Sequence, residues 1–217
     1  MSHARASARD ILDSRATLVR RGLWLNYITI GYNTMEAVVS IVAGVLAGSV
    51  ALFGFGIDSA IEVTAAGAAR WRLHADIRPD HRERVARISV RIIGWSFLAL
   101  AVYVVADSAS TLWHHERPDA SMAGLAILVA SVIVMPLLAR AKHRVALEMG
   151  SRTLAADAMQ TSLCAYLSII GLAGVALNGV FGWWWADPIA ALVMVPIIAR
   201  EGLEGVRGED HCADCVQ

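Results

Sequence analysis

An all-α membrane protein with six transmembrane helices and both termini in the cytoplasm is the fold class this sequence predicts, on three observations. Of the 217 residues 57% are hydrophobic and 18% charged, with a mean hydropathy of +0.54, too apolar for a soluble domain of this size to cover with polar surface. Six stretches come close to or exceed the ~20 apolar helical residues that a hydrocarbon core requires. Basic residues are also distributed very unequally: 18 fall in segments assigned to one side of the membrane and one, Arg117, on the other. The side that keeps them is the cytoplasm. The net charge of zero is therefore an average over unequal segments, and nothing in it points to nucleic acid.

Residues 1–23 carry Arg5, Arg9, Arg15, Arg20 and Arg21 without an apolar centre. They read as a cytoplasmic lead-in helix or tail, with no cleavable signal peptide. The spans are expected near 24–46, 50–70, 88–112, 121–139, 154–177 and 183–200. The turn at Gly48 and the segment from Asn178 to Trp185 hold no basic residue, so both are short and outside. Seven basic residues from Arg70 to Arg91 and four from Arg140 to Arg152 mark the inner loops, and Arg200 and Arg207 follow the last span. Loop lengths pair spans one with two, three with four and five with six as helical hairpins. Pro136 and Pro196 fall inside spans, where neighbouring helices can satisfy the freed carbonyls. Trp183, Trp184 and Trp185 form an interfacial anchor, and Pro188 suits the first turn of a helix. The domain organisation is thus an N-terminal segment, 1–23, a six-helix membrane domain, 24–200, and a short tail, 201–217, too small to fold alone. Abundant Ala, Gly, Val and Arg with a single lysine, Lys142, fit a GC-rich bacterial genome and hence the bacterial plasma (inner) membrane.

Ionisable groups inside a membrane are costly, face the bundle interior and mark function. Glu36 lies midway along the first span, Asp58 and Glu62 in the second, Asp107 toward the outer end of the third and Asp157 near the inner end of the fifth. Four residues separate Asp58 from Glu62, which stacks their carboxylates on one helical face ~6 Å apart. Like charges that close in low dielectric repel unless a cation or a proton sits between them. No Lys or Arg within the spans offers itself as an ion-pair partner, so a divalent metal or a shared proton is expected there. Asp157, Gln160 and Cys164, at spacings of three and four, share one face of the fifth span. A metal between the second and fifth spans could take carboxylate oxygens from Asp58 and Glu62, an amide oxygen from Gln160 and a thiolate from Cys164. The thiolate favours Zn²⁺, whereas the oxygen donors alone suit harder ions such as Mn²⁺ or Fe²⁺. Packing would also account for Cys164 and an interhelical hydrogen bond for Gln160. His211, Cys212 and Cys215 in the tail are half a zinc site, and read as a metal capture or handover point, a redox pair or an incidental sequence. Three cysteines at buried or cytoplasmic positions predict no disulfide framework.

The run Glu36, Gly44, Gly48-Ser-Val-Ala-Leu52 and Asp58-Ser-Ala-Ile-Glu62 resembles the first two spans of the cation diffusion facilitators, whose second span supplies half of the transport site. Ala156-Asp157-Ala158-Met159-Gln160-Thr161 followed by Cys164 is similar to that family's Ala-Asp-Ala-x-His-x-x-x-Asp, and Asp187-Pro188-Ile189-Ala190-Ala191-Leu192 to its sixth-span opening. Gln160 stands where the family usually has His or Asp, and Cys164 where it usually has Asp. The short tail after Arg200 leads to the expectation that the cytoplasmic metal-binding domain common after the sixth span is missing. The resemblance implies a homodimer, embedded in lipid, that exports divalent metal in exchange for protons by rocking between inward-open and outward-open states.

The expected function is therefore divalent-metal efflux, zinc first among the candidates, with protons as the counter-ion, no tightly bound cofactor and no enzymatic activity. The competing reading is a non-transporting membrane protein that senses metal or docks a partner. A thiol-disulfide enzyme built on Cys212 and Cys215 is disfavoured because both thiols lie on the reducing side.

Overall fold

The computed structural model describes residues 2–74, 79–119, 121–149 and 152–207. Those residues form six helices and no strand: α1 (Ser2–Ala47), α2 (Val50–His74), α3 (Pro79–His114), α4 (Met122–Met149), α5 (Arg152–Phe181) and α6 (Ala186–Arg207). α1 runs unbroken from the basic lead-in through the first apolar stretch, with no proline to interrupt it. It stops at Gly48, whose φ of +64° is the left-handed conformation that closes helices and that a side chain resists. Ser49 then caps α2, its hydroxyl accepting from Leu52 N at 3.1 Å, and Ser121 caps α4 by accepting from Gly124 N at 3.0 Å. Gly182, at φ +66°, closes α5 as Gly48 closes α1.

Among the described residues, Thr17–Ala47, Arg91–His114, Met122–Met149 and Asp157–Phe181 are each long and apolar enough to cross a membrane. Large apolar side chains point outward all round the bundle, among them Val38, Val45 and Leu46 on α1, Val102 and Trp113 on α3, Ile133 and Leu137 on α4, and Tyr166 and Val180 on α5. A surface so continuously apolar is stable against lipid and not against water. This is a multi-pass membrane protein. α2 is the enclosed helix, touching α1, α3, α5 and α6, and its Ala51, Leu52 and Phe55 are fully buried. Its Asp58, Ser59 and Glu62 are buried as well and so face protein.

Helix pairing departs from the expectation drawn from loop lengths. α1 packs along α2, and α5 meets α6, but the main partner of α3 is α6 and that of α4 is α5, with marginal contact at most between α3 and α4. The connection after α3 is long enough to step across the bundle end. It is pinned there by Asp119 N donating to Ala47 O at 2.7 Å and Asn178 Nδ2 donating to Pro118 O at 2.8 Å. What draws α3 to α6 is small residues at the crossing, as in other membrane helix pairs. A Cβ on Gly94 would lie 2.6 Å from Val206 N and 2.8 Å from Gly202 O. Gly94→Leu is accordingly expected to lower the thermal midpoint in detergent, at a cost of about 1–3 kcal/mol or more. Gly31→Leu, with nothing within 4 Å of the added carbon, should leave it unchanged. Equal melting of the two variants would contradict this packing.

Asp187 fastens the end of the bundle opposite the chain termini. From the first turn of α6 its Oδ1 accepts from Ser49 Oγ at 2.5 Å and its Oδ2 from Ala51 N at 3.4 Å, so a buried carboxylate sits at the positive end of the α2 dipole.

Candidate cation site

Helical periodicity brings Asp58 and Glu62 to one face of α2 and Gln160 and Cys164 to one face of α5. Because α2 packs against α5, the four side chains line a single cavity, walled otherwise by apolar residues such as Phe97 of α3, Leu167 of α5 and Ile198 of α6, with Glu201 of α6 also at its lining. The cavity measures about 10 Å³, room for one water-sized sphere. Among the described residues no three His, Cys, Asp or Glu side chains converge closely enough to hold a metal ion. The donors share a cavity without forming an assembled coordination shell.

Beside the cavity lies a second polar cluster. Glu36 is fully buried. Its Oε2 accepts from Ser59 Oγ of α2 at 2.8 Å and its Oε1 from Ser131 Oγ of α4, while Ser131 also meets the Tyr32 hydroxyl at 3.0 Å. Cys164 Sγ approaches Glu36 Oε2 at 3.8 Å, so the thiol lies between this cluster and the cavity. Both oxygens of Glu36 are thus committed to hydrogen bonds, and Glu36 is not among the residues that line the cavity. Its local role is to tie α1, α2 and α4 together, with α5 touching through Cys164.

The expectation that no basic residue is available inside the bundle does not hold. Lys142, assigned from its neighbours to an inner loop, lies within α4 and is fully buried. Its Nζ sits 2.8 Å from Asp157 Oδ2 and 3.0 Å from Thr161 Oγ1. Thr161 in turn lies 3.2 Å from Glu62 Oε1. Glu62 Oε2 is buried without a hydrogen-bond partner among the described residues. Asp157 is therefore paired with a lysine and stands apart from the cavity lining. The physical reason is that α4 continues as a helix past the expected end of the span, and its packing on α5 turns Lys142 inward.

Sequence reasoning missed Lys142, Thr161 and Glu201. Thr161 stands four residues after Asp157 and one helical turn before Cys164, which puts it close to the ligand face. Glu201 follows Ile197 by four residues, and was lost because the last span was ended at Arg200. Asp107 is placed away from the cavity, accepting from the Tyr103 hydroxyl at 3.0 Å. His211, Cys212 and Cys215 lie outside the described residues.

Comparison with known proteins gives a consistent family reading. Residues 27–207 match the family described as the cation efflux transmembrane domain. Transmembrane protein 163 of Xenopus laevis is 24% identical over 188 residues, covering 85% of this chain and 66% of the relative. An uncharacterized transporter of Synechocystis sp. is 27% identical over 154 residues, covering 68% of this chain and 49% of the relative. The chain thus spans about half to two thirds of the length of these relatives.

Proposed function

This chain belongs to the cation efflux transmembrane-domain family, and from that premise we propose that it carries divalent cations, zinc foremost, out of the cytoplasm across the plasma membrane in exchange for protons. In this reading all six helices cross the bilayer and both termini are cytoplasmic. The observation that carries the proposal is the shared cavity of Asp58, Glu62, Gln160 and Cys164. Carboxylates and a thiol gathered in an apolar wall have a large incentive to share a cation, since each is poorly solvated there.

The packing supplies a means of movement. α3 and α6 form one closely packed pair, and α1, α2, α4 and α5 form a connected group beside it. Residues from both groups line the cavity, so rocking one group against the other would open it to alternate sides. Cysteine and carboxylates bind metal in their deprotonated forms, so loading the site releases protons and acid opposes it. Proteoliposomes carrying an interior pH dye should therefore show saturable Zn²⁺ uptake with protons moving the opposite way. Zn²⁺ binding with no flux of Zn²⁺, Mn²⁺, Fe²⁺, Co²⁺ or Cd²⁺ under a proton gradient would sink transport and favour a metal-sensing protein.

A further inference from the structure

We propose that Lys142 is a resident counter-cation of the cation site, an ammonium that shares the charge of Glu62 and Asp157 when no cargo is bound and yields Glu62 to the arriving metal. The inference rests on reading the cavity as a cation site. Lys142 is the chain's single lysine among 19 basic residues, and it occupies a fully buried position, whereas the neighbouring Arg140 and Arg144 are exposed. An ammonium on a flexible four-carbon stem is a compact point charge that can retract from a partner, while a guanidinium is a planar fork that commits several hydrogen bonds at once. A lysine suits a charge that must be displaced.

The contacts describe a relay of position. Lys142 Nζ is held at 2.8 Å by Asp157 Oδ2 and at 3.0 Å by Thr161 Oγ1. The Thr161 hydroxyl reaches Glu62 Oε1 at 3.2 Å and the Asp157 carbonyl oxygen at 3.0 Å. That hydroxyl has one proton and donates to one of them at a time. When it turns to Glu62, Lys142 supports the pair from behind; when it turns to its own helix, Glu62 is released. The other oxygen of Glu62, Oε2, is buried and without a hydrogen-bond partner among the described residues, and Glu62 lines the same cavity as Asp58, Gln160 and Cys164. Asp157 anchors the lysine away from that oxygen. A positive charge a few ångströms from a metal ligand opposes metal binding, and Asp157 moderates the opposition.

Opposite signs for the two members of one ion pair distinguish this positioning role from a structural one. Zinc affinity should be measured by competition with a chromophoric chelator on detergent-purified protein carrying Cys212→Ser and Cys215→Ser, so that the tail does not contribute. Lys142→Met is expected to tighten zinc binding roughly tenfold by removing the competing charge, and to slow turnover in liposomes because release is no longer assisted. Asp157→Asn is expected to weaken binding several-fold, since the freed ammonium then turns to Glu62. The double variant Lys142→Met/Asp157→Asn, which removes both charges of the ion pair, should bind as tightly as Lys142→Met alone. If both single variants weaken binding and the double variant restores it, the pair is structural and the inference is overturned. If Asp58→Asn abolishes binding while Lys142→Met leaves it unchanged, this inference fails and the cation site stands. If the unsubstituted site binds no zinc, both fail.

Discussion

Asp58→Asn should reduce saturable zinc flux by at least about 100-fold, on the scale of the 10- to 100-fold that even outer-shell partners of a metal contribute, while the protein still folds and melts close to the parent. The two halves of this expectation have separate physical sources. Asp58 lines the cavity on the most enclosed helix, one turn from Glu62, and asparagine keeps its shape while removing the charge that a cation needs. Asp58 also makes no hydrogen bond or ion pair among the described residues, so no folded-state partner is left stranded when the charge goes. Buried charge without a partner is destabilising, and its removal costs the fold little. Glu36 is the contrast, since its oxygens bind Ser59 and Ser131 on two other helices. Flux assays paired with thermal melts check both halves, and preserved transport in Asp58→Asn would remove Asp58 from the site.

Cys164 carries the second large effect. It is fully buried, it faces the cavity, and it is the one soft donor there. Cys164→Ala is expected to abolish saturable zinc flux, whereas Cys164→Asp, which substitutes a hard oxygen donor, should retain transport with preference moved toward Mn²⁺ and Fe²⁺ over Zn²⁺. Parallel flux of the three ions in proteoliposomes measures the change. Unaltered relative rates in Cys164→Asp would mean that the thiol packs without ligating.

Much of the site is legible in the sequence. Polar residues stand out against an apolar background, and the 3.6-residue period places Asp58 with Glu62, and Gln160 with Cys164, from spacing alone. That α2 lies against α5 is a tertiary fact which spacing implies only if both faces seek the same interior. Lys142 was illegible for a different reason. A rule that assigns basic residues to loops uses sequence neighbours, and Arg140, His143 and Arg144 surround it; only the continuation of α4 and its packing on α5 show where its side chain goes. Helix pairing was misread between α3 and α4 because loop length bounds how far apart two helices can be and does not compel them to touch. The approach of α3 to α6 depends instead on Gly94 and Gly202, whose lack of a side chain carries no signal in a hydropathy profile. Glu201 shows the cost of ending a helix at the first charged residue.

The most direct test of the cation site is X-ray absorption at the zinc edge of the metal-loaded protein, in a chain with Cys212→Ser and Cys215→Ser so that Cys164 is the remaining thiol. One sulfur at about 2.3 Å with oxygen or nitrogen neighbours at about 2.0–2.2 Å, the sulfur vanishing in Cys164→Ala, is the result this account predicts. A shell of oxygen and nitrogen alone around zinc bound to the parent would contradict it.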